Sequence, residues 1–215
     1  MDRHLFLFGG GSPFTPKFAR KYVGLCSSGK IILLYLDGGD AFIPRYTSLL
    51  KELGHKSFCN QPLPSTPKEE VIQNIQDCSG IIICGGDSIA YAEAIVDTPI
   101  STAVQSAYQI GIPIAGFSAG ALISPEVCVI SSRDSGLDSY QKRAGLGLVR
   151  DTLIAVHFTQ WNERNHLEQI TTAIPSTHNY GIDENTGLYF HNGTLQQTDG
   201  GDVFTINNGS LIKIN

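Results

Sequence analysis

Ile112-Pro-Ile-Ala115 is a short apolar run that passes directly into Gly116-Phe117-Ser118-Ala119-Gly120, and no other stretch narrows the choice of fold so much. A run of this kind reads as a strand buried on both faces. Small residues on both sides of Ser118 suit a sharp strand-to-helix turn, where larger side chains would collide. Such a turn lifts the Ser118 hydroxyl above the sheet. It also sets that oxygen near the next helix N-terminus, whose free N–H groups favour a developing negative charge. The same five residues would equally suit a strand–turn–helix with an inert Ser, because G-x-S-x-G is short and common.

Other apolar runs end in the same way. His4–Phe8 meets Gly9-Gly10-Gly11, Lys30–Leu36 meets Asp37-Gly38-Gly39, and Ile81–Cys84 meets Gly85-Gly86-Asp87-Ser88. Between these strands the pattern predicts a helix opened by Thr15 as N-cap with Pro16 in its first turn. It predicts a second helix from about Phe42 to Leu53, stopped by Gly54, and a third opened by the capping box Thr66-Pro-Lys-Glu69 and reaching about Cys78. Further helices are expected around Ala90–Val96 and Ser101–Ile110. Lys56–Cys59 reads as a short strand and the proline-rich 60–66 stretch as a loop. Alternation of this kind gives an α/β fold: a parallel sheet with helices on both faces and right-handed crossovers. Ligands of such sheets sit beyond the carboxyl ends of the strands, and both Gly85-Gly86 and Ser118 stand at such ends.

Beyond the Ser118 turn the rhythm changes. Cys128–Ile130 is a short strand, 131–150 a polar excursion, and Leu153–Val156 an apolar run ending at His157-Phe158. A helix is expected from about Glu163 to Ile174. The tail from Tyr180 reads as antiparallel hairpins, with Asn192-Gly193 and Asn208-Gly209 as turns. With no repeat or linker, residues 1–215 are expected to form a single domain.

Composition excludes several classes. The 215 residues carry a net charge of −5 with scattered Lys and Arg, which leaves no electrostatic footprint for nucleic acid. No apolar run approaches membrane-spanning length, and the opening segment reads as a first strand and not as a signal peptide. The five cysteines form no C-x-x-C pair and mostly lie in or beside apolar runs. Free thiols in a reducing compartment are expected, with the cytoplasm as default.

A Ser hydroxyl needs a base, and the base needs a third group to hold it. Of six histidines, His157 alone stands at the exit of an apolar strand on the Ser118 edge. For the acid, Asp134, Glu126 and Asp138 are all open. The order Ser, Asp, His is that of α/β-hydrolases. The intervals are too short for the βα units of that fold, however, with Asp134 only 16 and His157 only 39 residues after Ser118. A different α/β scaffold is favoured.

Taken together, Gly116-Phe-Ser-Ala-Gly-Ala121, Gly85-Gly86-Asp87, Val156-His157-Phe158 and Gly181-Ile-Asp-Glu-Asn185 resemble the aspartyl dipeptidase (dipeptidase E) and cyanophycinase family of serine peptidases. The resemblance implies a flavodoxin-like sheet related to class I glutamine amidotransferases, with Ser in place of their Cys. It also implies a cytoplasmic enzyme, often a homodimer, that uses no metal or other cofactor. Carried over by motif, Ser118 is the nucleophile and His157 the general base, and Asp134 moves ahead of the other acids. The backbone N–H groups of Gly86 and Ala119 are the oxyanion hole. Asp87 resembles a substrate-contacting position, though it would serve equally as an N-cap. Cyanophycinases place several arginines just after the His-Phe pair, whereas this chain has Thr159-Gln-Trp-Asn-Glu-Arg-Asn-His166, which disfavours cyanophycin as substrate. For an N-terminal Asp substrate, Arg164 and Arg133 are the candidate cations. Trp161 is either core or a wall of the cleft. The expected activity is hydrolysis of short peptides through an acyl-enzyme. The alternatives are an esterase or a non-catalytic member of the fold that binds a small ligand or partner.

Overall fold

The computed structural model describes residues 1–10 and 14–215, so Gly11 of the expected strand end lies outside it. Strands β1 (His4–Phe8), β2 (Lys30–Leu36), β3 (Phe58–Leu63), β4 (Cys78–Ile83) and β5 (Ile114–Phe117) run parallel to one another. Helices α1 (Pro16–Leu25), α2 (Ile43–Glu52), α3 (Lys68–Gln76), α4 (Ser88–Tyr91) and α5 (Ile100–Gln109) connect them, and α4 continues as a wider π-turn over Ala92–Val96. Helices flank the sheet, α1 beside α2 and α3 beside α5. The four-residue α6 (Ala119–Leu122) follows β5 directly.

A second assembly follows. The hairpin β6 (Val127–Ile130) and β7 (Gln141–Ala144) encloses the short helix α7 (Ser132–Ser135), so the polar excursion is more regular than its composition suggests. Next come β8 (Thr152–Ala155), α8 (Arg164–Ala173) and β9 (His178–Ile182), with β8 and β9 paired in parallel. The tail contributes β10 (Thr186–His191), β11 (Thr194–Gly200), β12 (Val203–Asn207) and β13 (Ser210–Lys213). The first sheet has the order β11-β10-β1-β5-β4-β2-β3 and the second β13-β12-β9-β8. Thus β10 returns to pair antiparallel with β1, while β12 pairs antiparallel with β9. At both expected hairpin turns the Asn and the Gly take positive φ, 52° and 82° at Asn192-Gly193 and 50° and 72° at Asn208-Gly209. These are the conformations a two-residue hairpin turn requires.

Two elements depart from expectation. β3 starts two residues later than Lys56 and runs through Pro62, because it pairs only with β2 at the sheet edge, where a missing N–H breaks no second ladder. The capping box at Thr66 does not form: α3 begins at Lys68 with Pro67 in the capping position and no side-chain capping bond. Thr15 does occupy the N-cap of α1, again without a side-chain capping bond.

The core beneath the Ser118 turn is aromatic. Phe117 stacks on Phe8 of the adjacent strand, with ring centroids 4.3 Å apart, and meets Phe14 and Tyr46 edge-on. Each such buried ring contributes roughly 2 kcal/mol of transfer free energy, so the residue before Ser118 is held on three sides. Among the described residues no helix is long and apolar enough to cross a membrane.

Candidate active site

Ser118 sits between β5 and α6 with φ 49° and ψ −108°, a region that a residue with a Cβ occupies at a cost of about 1–3 kcal/mol. The flanking glycines allow it. A Cβ on Gly116 would run into the carbonyl of Gly120, and one on Gly120 into the carbonyl of Ile83 in β4. The turn is further tied to β1, since the Ser118 N–H donates to the Phe8 carbonyl at 3.0 Å.

His157 lies two residues past the end of β8, itself at φ 48°. Its backbone N–H donates to the Gly9 carbonyl at 2.7 Å, and its ring occupies the space a side chain on Gly10 would fill. The glycines ending β1 are therefore a cradle for the imidazole. Through them the second assembly delivers Nε2 to within 2.9 Å of Ser118 Oγ. The expected alcohol–imidazole pair is in place.

The third group is not the one expected. Nδ1 of His157 meets Glu184 Oε1 at 2.8 Å. Asp134 instead accepts a 2.6 Å hydrogen bond from Ser88 Oγ, on the β4 side of the cleft. Glu126 and Asp138 are both exposed and make no contact with the imidazole. The reason lies in the sheet: β8 and β9 are parallel neighbours with Ala155 opposite Gly181, so the residues just beyond each strand emerge at one edge. The turn carrying Glu184 is then pinned. Asn185 N–H donates to the Gly10 carbonyl at 3.0 Å, and Glu184 N–H to Gln160 Oε1 at 3.1 Å. The buried Asp183 accepts from Thr159 N–H at 2.9 Å. Asp134 sits on α7, which packs against α4, and its carboxylate is taken by Ser88 of that helix. Burial raises the Asp134 pKa, and the Asp87 charge adds to this; Ser88 and the His157 imidazole oppose it. Glu184 lies inside the Gly181–Asn185 motif that carries the family resemblance, and that was the signal for it in the sequence.

The Gly85-Gly86 loop runs beside the nucleophile, where a Cβ on Gly85 would sit 3.3 Å from Ser118 Cβ. Tyr46 OH fixes the loop by accepting from Gly85 N–H at 3.1 Å. Gly86 is next along, and Ala119 is the first residue of α6. Asp87 takes the structural role weighed for it, capping α4 by accepting from Ala90 N–H at 2.9 Å. Trp161 is stacked on the His157 ring, centroids 4.0 Å apart and 17° between planes. Arg133 reaches over Trp161, with Cζ 5.8 Å from its ring centroid. Arg164 is not brought to Ser118: it is exposed on α8 and paired with Glu168 at 2.8 Å.

A family model described as peptidase family S51 matches residues 36–198. The chain belongs to that family. Among curated relatives, the cyanophycinase of Trichormus variabilis is 26% identical over 181 residues, covering 80% of this chain and 60% of that protein. The cyanophycinase of Synechococcus elongatus is 32% identical over 147 residues, covering 63% of this chain and 44% of its own length. The chain thus spans about three fifths or less of the length of these two relatives. Among solved structures, a peptidase from an acI-B1 actinobacterium superposes with a TM-score of 0.75 at 19% identity, over 100% of this chain and 98% of that one. A peptidase E candidate from Listeria monocytogenes EGD-e gives 0.71 at 16%, over 93% and 99%. At those identities the structures show the fold alone, and it is the mostly parallel, helix-flanked sheet with antiparallel C-terminal strands that the sequence predicts.

Proposed function

We propose that the protein is a serine-type peptidase that hydrolyses short peptides through an acyl-enzyme on Ser118. The observation that carries this reading is the continuous relay from Ser118 Oγ to His157 Nε2 at 2.9 Å and from Nδ1 to Glu184 at 2.8 Å. An ionised carboxylate only accepts hydrogen bonds, so Glu184 holds the proton on Nδ1 and leaves the Nε2 lone pair facing the hydroxyl. In this mechanism Ser118 Oγ attacks the peptide carbonyl while Nε2 takes its proton. The imidazolium is stabilised by Glu184 and then protonates the leaving amine. Water enters by the same route and releases the acyl group. In this reading the backbone N–H groups of Gly86, in the loop beside Ser118, and of Ala119, the first residue of α6, hold the oxyanion, and one such donor is worth roughly a hundredfold to a thousandfold in rate.

On the substrate side, the only arginine between residues 159 and 166 is Arg164, and Glu168 occupies it. That supports small peptides over an arginine-decorated acidic polymer. A fluorophosphonate probe tests the chemistry. Wild type is expected to label covalently and Ser118→Ala to stay unlabelled, with loss of peptide turnover in the same variant. Absence of labelling in folded wild-type protein overturns the reading in favour of a ligand-binding member of the fold.

A further inference from the structure

Beside the relay lies a cavity of about 800 Å³ that the mechanism above does not use, bounded by α7, the segment after it, and the first turns of α8. Trp161 belongs to both: it stacks on His157 and lines this cavity. The cavity is an open groove lined largely by exposed residues, with more room than a dipeptide at Ser118 needs. Its lining is mostly uncharged. Asn162, Asn165 and Gln169 line it with exposed side-chain amides. Tyr140 and His166 meet edge-to-face at 6.1 Å, and neither ring nitrogen of His166 hydrogen-bonds a described residue. Burial holds the His166 pKa down to about 4, so the imidazole offers one donor and one acceptor without charge at neutral pH. Arg133 is the one cation, set against Asp138 and the buried Glu163, whose carboxylate accepts from Ser131 at 3.0 Å. Charge therefore does not select the ligand. Amide side chains beside aromatic faces carry the same donor–acceptor pairs as a peptide backbone and a surface for its apolar stems.

Resting on the Ser118 hydrolase reading, we propose that this cavity is a subsite for the peptide chain beyond the residues flanking the scissile bond. The substrates are then oligopeptides longer than a dipeptide, since an extended chain advances only about 3.3–3.6 Å per residue. Trp161 is the sole tryptophan, so intrinsic fluorescence reports directly on the wall shared by relay and cavity.

The test is a fluorescence titration of Ser118→Ala protein with neutral Ala/Gln peptides of two, four and six residues. A saturable change is expected with four and six residues, at least tenfold tighter than with two and little altered by added salt. The double variant Asn165→Ala/Gln169→Ala, which removes two exposed helix side chains, is expected to weaken the hexapeptide about tenfold. Equal response to all lengths, no response to any, or undiminished binding by the double variant overturns the subsite. Fluorophosphonate labelling of wild type reads the hydrolase chemistry separately: labelling without length dependence sinks the subsite alone, and length dependence without labelling sinks the hydrolase alone.

Discussion

Glu184 and Asp134 differ by what each faces, and that difference is measurable. Glu184 holds Nδ1 of His157, whereas Asp134 is held by Ser88 across the cleft. Glu184→Gln keeps the shape but can offer its amide N–H to Nδ1, which favours the wrong tautomer. Fluorophosphonate labelling and peptide turnover are expected to fall by about a hundredfold or more. Asp134→Asn is expected to stay within about tenfold, since it only exchanges the partner of a hydroxyl. The reverse ranking would return the acid to α7. At this scale the sequence spoke unevenly. Ser118 was marked by its glycines and His157 by standing at a strand exit. Glu184 sits inside a motif whose spacing to His157 has no meaning until β8 and β9 are known to pair in parallel.

Elements carry the next level of constraint. Ser118 is aimed by the close approach of α6 to β4, which Gly120 permits, because a Cβ there would meet the Ile83 carbonyl. Gly120→Ala must push α6 outward. The expected result is a loss of about 1–3 kcal/mol in urea unfolding, together with slower labelling at Ser118, because the hydroxyl moves with the helix. Unchanged stability and labelling would show that the turn tolerates the displacement. Strand ends and helix order were readable because buried parallel strands appear as apolar runs closed by glycine. The bounds of β3 are not legible in the sequence, which does not say which strand lies at an edge, and only an edge admits Pro62. The 131–150 excursion hid α7 and β7, since short elements flanked by polar residues leave no periodicity to count.

For the molecule as a whole, the site exists only where two sheets meet. The first supplies the alcohol from β5 and the second the imidazole from β8, and the Gly9-Gly10 cradle joins them. The cavity beside this junction has its own signature in stability. His166 has a folded pKa of about 4 against an ordinary 6.5, so its contribution is complete above pH 6.5 and is lost as the pH falls towards 4. Asp134 and Glu163, both raised by burial, act with the opposite sign and are relieved on acidification. Comparing urea unfolding at pH 7 and pH 4.5, His166→Gln is expected to lose less stability than wild type, by up to about 3 kcal/mol. Parallel losses in both proteins would place His166 in contact with water.

The position of Glu184 also sets an order in time. It follows His157 by 27 positions and Ser118 by 66, on a turn fixed only once β9 lies against β8 and β10 against β1. A chain emerging from the ribosome would thus expose its alcohol and then its imidazole with the latter still free to rotate. Under the proposed mechanism it would gain cleaving power only when late-made strands close over early ones.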